Sequence, residues 1–264
     1  MNLIIVQARL GSSRLPGKVL FKLDKDITLL DFLIKRIQSA KNVDKIIVAT
    51  TKNQNDIPLI NHCKKMNYEY FIGSEDDCLE RHFQCAKKYS PKSITKIPSD
   101  VPFVDPKIID KVISLFSTAN FDYVSNLHPP TYPDGVDVET FSFSALKKSY
   151  LEASMKFHRE HTTPYMWDNP NLFKIGSVKS DQRKNYFNEY RFTIDYIEDF
   201  KFLSKVYDDY VKNNPDFTWI DIVDFLDDNP ILKEINKMHL SDYWYSKHVN
   251  QIKNLDKQIL RKEK

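Results

Sequence analysis

Leu3-Ile4-Ile5-Val6-Gln7-Ala8-Arg9-Leu10-Gly11-Ser12-Ser13-Arg14-Leu15-Pro16-Gly17-Lys18-Val19-Leu20 is the stretch from which the fold is read. Its apolar opening, Leu3 to Val6, reads as a first β-strand, so the run behind it sets three cations and two glycines at a strand's C-terminal end. Open α/β sheets bind ligands at that end. Arg9, Arg14 and Lys18 supply positive charge, and Gly11, Ser12 and Ser13 let backbone N–H groups approach phosphate oxygens. The stretch reads as a triphosphate cradle. It is not a Walker A loop, because five residues separate Gly11 from Gly17 and Val19 follows the lysine. A solvated turn with accidental charge is the competing reading. The strand in front of the loop favours phosphate.

Outward from the cradle, strand-like runs alternate with helix-like segments. The pattern predicts a helix over 28–40, with Thr28 and Asp31 as a capping-box-like start and Leu30, Leu33, Ile34 and Ile37 on one face. It continues as strand 45–50, helix 54–66, strand 69–72, helix 76–89, strand 93–97, helix 106–117 and strand 122–125. Such a series predicts an α/β fold, a doubly wound Rossmann-like sandwich on a mainly parallel sheet. After Asn126 the pattern breaks. His128-Pro129-Pro130 and Pro133-Asp134-Gly135 are turn chemistry, followed by an alternating strand over 136–141 and helices near 143–153 and 158–168. Residues 126–185 read as an insertion; strands then return at 172–177 and 190–194, followed by a helix over 198–212. The main domain is expected over 1–239 and a basic helical tail over 240–264, with Val249, Ile252, Leu255 and Ile259 on one stripe. Tyr243-Trp244-Tyr245 is assigned to packing of that tail rather than to stacking on bases.

The 264 residues are 41% hydrophobic and 28% charged, ordinary for a globular chain with a substantial core. Residues 240–264 hold six Lys/Arg against three acids, which accounts for the whole net charge of +3 and gives no reason to expect a nucleic-acid partner. Cys63, Cys78 and Cys85 make neither a disulfide framework nor a CxxC zinc motif. No signal-peptide core opens the chain, and no apolar run approaches the roughly 18 residues of a membrane span, so a cytoplasmic location without a membrane partner is expected.

The opening stretch resembles the signature of the cytidylyltransferases of the spore-coat polysaccharide biosynthesis protein F type, relatives of the CMP-sialate and CMP-3-deoxy-manno-octulosonate synthetases. The resemblance continues through Gly73-Ser74-Glu75-Asp76-Asp77 with Leu79-Glu80-Arg81, Asp100-Val101-Pro102, and Pro133-Asp134-Gly135-Val136-Asp137-Val138-Glu139. It is carried on by Arg159-Glu160-His161-Thr162-Thr163-Pro164-Tyr165, Arg191-Phe192-Thr193-Ile194-Asp195 with Glu198-Asp199-Phe200, and Asp228-Asn229-Pro230. It implies transfer of CMP from CTP to a sugar acid or related acceptor with release of pyrophosphate, and an insertion that helps to form the acceptor pocket and a homodimer contact.

That reaction places heavy negative charge at one point, usually neutralised by Mg²⁺ with Lys and Arg. Asp100 and Asp195 each follow a predicted strand and should emerge at the cradle's edge of the sheet as an oxygen-rich magnesium site. The alternative is that each caps the next helix. In the resembled family both match metal ligands. The chain departs from the family at Lys96, where arginine is common, and at Pro98-Ser99, where Thr-Gly is common. Arg14, Lys18, Asp100 and Asp195 make up the expected catalytic set.

Asp134, Asp137 and Glu139 surround a glycine turn and a short strand, and bind acceptor hydroxyls or amines or else form a solvated face. Arg159 is expected to offer a bidentate cation to an acidic acceptor, and His161 to orient the acceptor or act as a base. Thr50 and Thr51, with backbone groups of Gln7 and Ala8, are candidates for the cytosine edge. Ser74 is a further nucleotide-side candidate, although capping of the next helix by Ser74 or Asp76 is the simpler account. Two rival readings are a glycosyltransferase, disfavoured by Asp-Val-Pro where Asp-x-Asp is common, and a non-catalytic nucleotide-binding protein, disfavoured by retention of Lys18, Asp100 and Asp195.

Overall fold

In a computed structural model that describes residues 1–180 and 184–252, the chain runs as follows. In order come β1 (Asn2–Gln7), β2 (Lys22–Asp24), β3 (Ile27–Thr28), α1 (Leu29–Gln38), β4 (Lys45–Thr51), α2 (Ile57–Met66), β5 (Tyr70–Gly73), α3 (Cys78–Tyr89), β6 (Ser93–Pro98) and α4 (Pro106–Thr118). Next are β7 (Tyr123–Ser125), β8 (Glu139–Phe141), α5 (Phe143–Glu152), α6 (Lys156–His161), α7 (Pro164–Trp167), β9 (Ile175–Ser177), α8 (Ile197–Asp209), α9 (Trp219–Asp228) and α10 (Trp244–His248).

Alternation along β1 sends Ile4 and Val6 into one hydrophobic core and Leu3 and Ile5 into a second, all without solvent exposure. A strand buried on both faces belongs at the centre of a sheet covered on both sides. β1 lies there, parallel to β4 on one flank and β6 on the other, within the order β5-β4-β1-β6-β8-β7-β9. Only β8 runs antiparallel to its neighbours in this sheet, so the sheet is mainly parallel as expected. One core takes the apolar stripes of α1, α4, α8 and α9; the other takes those of α3 and α5. α1 starts at a reciprocal capping box between Thr28 and Asp31. No helix among the described residues is long and apolar enough to cross a membrane.

Up to β7 the elements fall where the alternation predicts them, apart from the added hairpin β2–β3. Beyond it the structure differs. The strand expected over 136–141 shortens to Glu139–Phe141, and 190–194 is no strand but an extended segment. It is held by a bridge between Asp134 and Arg191 and by Ile194 N–H on the Asp100 carbonyl at 2.9 Å. The approach needs glycine at 135, where φ is 102° and a Cβ would lie 2.4 Å from the Thr193 nitrogen. The helix expected over 158–168 is two, α6 and α7, because Thr162 adopts φ 73° and Pro164 cannot donate to a continuing helix. α9 was not anticipated. In the tail, α10 is described, whereas Leu255 and Ile259 lie outside the described residues.

Candidate active site

The cradle loop leaves β1 and is pinned rather than loose. Leu10 N–H donates to Asp56 Oδ1 at 2.7 Å and Gly17 N–H to the Leu10 carbonyl at 2.9 Å. Gly17, at φ 74°, begins a short 3-10 turn that carries Lys18 inward. There the Lys18 ammonium donates to Asp100 Oδ2 at 2.8 Å, the Ile194 carbonyl at 2.5 Å and Asp195 Oδ1 at 3.2 Å. Arg14 meets Asp195 at 2.7 Å. Burial opposes charge on both Lys18 and Asp195. The mutual attraction wins, holding Lys18 above its ordinary pKa and Asp195 well below the usual carboxylate range.

Neither aspartate is a helix cap. Asp105 caps α4, and Asp199 accepts the N–H groups of Asp195 and Tyr196 at the start of α8. Asp199 also holds Arg191 through two bonds of 2.9 and 3.0 Å, and Arg191 reaches Asp134 at 3.4 Å. Both candidate metal ligands are thereby left to face Lys18.

Lys18, Asp100 and Asp195 line one end of a cavity of about 480 Å³, with Gln7, Arg9, Ser12, Ser13 and Arg14 beside them. Gln7 Oε1 is buried without a partner among the described residues. The other end is built by the insertion and the tail. Lys96 there pairs with Glu139 at 2.6 Å, and Tyr123 donates to the other Glu139 oxygen at 2.7 Å. Asp137 is pushed well above the carboxylate range by burial and by Asp134, Asp100 and Glu139. Burial likewise drives His161 down to about 3 and His128 to about 4, so both rings are neutral.

Of the expected site residues, the structure brings Gln7, Arg9, Ser12, Ser13, Arg14, Lys18, Asp100, Asp134, Asp137, Glu139, His161 and Asp195 to this cavity. Others lie elsewhere. Thr50 and Thr51, offered for the cytosine edge, are fully buried with their hydroxyls on Asp56, so they steady the carboxylate that pins the cradle. Ala8 is buried and its N–H extends the ladder to Ala49, while Gly11 stands off the cavity wall. Ser74 Oγ accepts from Asp77 N–H, and Asp77, rather than Ser74 or Asp76, caps α3. Arg159 turns away from the cavity to bind Asp77 and the Tyr150 carbonyl.

The sequence reading missed His128, Trp167, Phe187, Trp244, Tyr245, Lys247 and His248, which line the cavity. The Tyr243-Trp244-Tyr245 cluster was the available signal. It packs the tail as expected, with α10 folded back onto α6 and Trp244 against Phe157 and His161, and in addition Trp244 and Tyr245 line the cavity. Residues of the insertion, among them Asp134, Asp137, Glu139, His161 and Trp167, line this cavity.

The profile of the cytidylyltransferase family matches residues 3–247. An uncharacterized protein of Methanocaldococcus jannaschii is 39% identical over 232 residues, 88% of this chain and 93% of that protein. The spore coat polysaccharide biosynthesis protein SpsF of Bacillus subtilis is 33% identical over 86% of this chain and 95% of its own length. A cytidylyltransferase from Leptospira borgpetersenii superposes with a TM-score of 0.80 at 30% identity, covering 88% of this chain and 95% of that one. The CMP:2-keto-3-deoxy-manno-octonic acid synthetase complexed with CTP shares the fold, with a TM-score of 0.57, 14% identity and coverage of 78% and 97%. The chain belongs to the cytidylyltransferase family and is a CTP-dependent nucleotidyltransferase.

Proposed function

We propose that the chain transfers CMP from CTP to a sugar acid or related acceptor, releasing pyrophosphate, in the synthesis of a surface polysaccharide or glycan, as a Mg²⁺-dependent homodimer. The observation that carries this reading is the Lys18 ammonium held between Asp100 and Asp195 at one end of a cavity whose other end is acidic and aromatic. Arg9, Arg14 and Lys18 bind the triphosphate, and Ser12 and Ser13 offer it further donors. Gln7 Oε1, a buried acceptor without a protein partner, suits the exocyclic amino group of cytosine.

The donor set fits Mg²⁺. Two carboxylates already converge on one cation, and the crowding of Asp137 by Asp134, Asp100 and Glu139 marks negative charge in excess at the cavity. Asp100 and Asp195 would hold the ion. Mg²⁺ is commonly held by one or two carboxylates together with substrate phosphates. When bound, Mg²⁺ neutralises and polarises phosphoryl oxygens. The acceptor is oriented by Asp134, Asp137, Glu139 and His161. Names of the relatives support the substrate class: one for spore coat polysaccharide, another for a CMP-linked octulosonic acid with CTP bound.

The test is pyrophosphate release from CTP, ATP, GTP and UTP, each with 3-deoxy-manno-octulosonate, N-acetylneuraminate and smaller acidic acceptors, with Mg²⁺ or EDTA. Release with CTP, one acidic acceptor and Mg²⁺ is expected. Equal release in EDTA, or none with any acidic acceptor, would overturn the reading. Sedimentation velocity of the same sample is expected to show a dimer.

A further inference from the structure

We infer that Trp244 fixes His161 as a hydrogen-bond donor to the acceptor, so that His161 orients the acceptor and does not take its proton. Trp244 Nε1 donates to His161 Nδ1 at 3.4 Å. An indole nitrogen can only donate, so Nδ1 is the bare nitrogen and the neutral ring carries its hydrogen on Nε2. Nε2 has no partner among the described residues and is not sealed in the core, which leaves it open to the cavity that the ring lines.

The arrangement is held from several sides. Phe157 stacks on Trp244 at 5.6 Å and meets the His161 ring at 5.1 Å, while Trp167 and Tyr245 stand edge-on to the indole. The His161 carbonyl accepts from Lys96 Nζ at 3.3 Å and from Thr163 N–H at 2.9 Å, so the backbone is pinned as well. The strained turn at Thr162, φ 73°, follows directly and lets His161 and Thr163 share the cavity wall.

A second proton on this ring would have to sit on Nδ1, against the indole N–H. Burial first, then His248 on α10, Lys96 on β6 and Arg9 in the cradle oppose that proton; Glu139 on β8 favours it and is outweighed. With Nδ1 occupied as an acceptor and Nε2 already protonated, neither nitrogen can act as a base. The ring instead presents one N–H to a hydroxyl, carbonyl or carboxylate oxygen. Trp244 is a positioning residue for it. The inference rests on reading this end of the cavity as the acceptor site, but the state of the ring can be measured without any substrate.

The first measurement is a long-range ¹⁵N–¹H spectrum of the histidine-labelled protein with no ligand. His161 is expected as the Nε2–H form and uncharged through the usual histidine window of about pH 5 to 8. Trp244→Phe keeps the packing and removes the donor, and should admit the Nδ1–H form. An Nδ1–H ring in the wild type, or the same His161 signals in Trp244→Phe, would overturn the inference whatever the acceptor proves to be. The second measurement uses pyrophosphate release with CTP and 3-deoxy-manno-octulosonate. Trp244→Phe should raise the acceptor KM about tenfold and leave the CTP KM within about twofold, as expected for one misplaced hydrogen bond. His161→Gln places an amide N–H near Nε2 and cannot take a proton, so it should raise the acceptor KM and lower kcat by less than about tenfold. A loss of about a hundredfold or more in kcat would make His161 the base.

Discussion

The two ends of the cavity are built on opposite principles. The cradle end comes from one short stretch, Gln7 to Lys18, and two aspartates, and its ion pairs run from buried to half in water: Lys18 is 9% exposed and Asp195 14%, whereas Asp100 is 30% and Arg14 38%. The acceptor end is drawn from segments spread from Lys96 to His248, and its ion pair is dry, with Lys96 at 11% and Glu139 at 4%. Where one member of a pair reaches solvent, as in Arg14–Asp195 and Lys18–Asp100, the pair is worth less in stability, so phosphates can take over as partners of Arg14 and Lys18. A dry pair among neutral histidines cannot be exchanged so readily, and its polarity is fixed before a ligand arrives. Changes at the cradle should therefore remove activity and spare the fold, whereas changes at the acceptor end should alter both.

The largest effect should come from Asp100→Asn and Asp195→Asn. Asparagine replaces aspartate well as a helix cap, but neither residue caps one, so what is lost is carboxylate charge at the cation position. Pyrophosphate release should fall by about a hundredfold or more while circular dichroism remains native. Near-normal turnover in either variant would return that residue to a structural role.

Next come Lys18→Ala and Arg14→Ala. Each removes a charge-assisted contact worth on the order of 1.5–3 kcal/mol, so CTP should bind roughly ten- to a hundredfold more weakly, by calorimetry. In Lys18→Ala the Asp195 carboxyl also loses the strongest of the attractions that hold it down, and its pKa should rise toward the ordinary range. Unchanged CTP affinity in both variants would refute the cradle.

The same contrast explains what could be read from the sequence. Strand β1, its cationic loop and the alternation up to β7 are local signals, since a buried strand and a glycine turn announce themselves in a few residues. Asp100 and Asp195 were legible because each follows an extended segment, even though 190–194 proved to be no strand. The acceptor wall was not legible in the same way. Arg159 looks like a carboxylate receptor until Asp77, 82 residues away, is seen to occupy it. Trp244 packs the tail, but its place on the cavity wall shows only once α10 returns to α6. Both concern which partner a side chain meets across the fold, and spacing along the chain carries no record of that.

A pH titration of stability probes the dry end by itself. Burial pushes His128 from 6.5 down to about 4, against the pull of Glu139. Between those values the unfolded chain binds a proton that the folded chain refuses, so stability falls as pH drops from about 6.5 to about 4. At about 1.4 kcal/mol per pH unit the loss is on the order of 3 kcal/mol, with His161 acting in the same direction. Asp137, held above its ordinary range, contributes the opposite sign in wild type and variant alike, so the His128 slope is read as the difference between urea melts of the wild type and of His128→Gln. A slope untouched by that substitution would mean that His128 is charged in the folded protein.

The smallest effect on activity should be that of Arg159→Ala, and it sharpens the boundary of the acceptor end. The guanidinium is engaged by Asp77, the Tyr150 carbonyl and the Tyr150 ring at 5.0 Å, which ties α6 to the start of α3. Removing it should cost about 1–2 kcal/mol of stability, the lower part of the range for hydrogen bonds to charged groups, because both partners retain some solvent. KM for CTP and for the acceptor should each stay within about twofold, because the side chain reaches neither end of the cavity. Asp77→Asn keeps the cap on α3 and removes the charge, so a double-mutant cycle between the two positions should show coupling in stability and none in turnover. A rise of about tenfold or more in acceptor KM, with stability unchanged, would move Arg159 back into the acceptor site and extend the dry wall as far as α3.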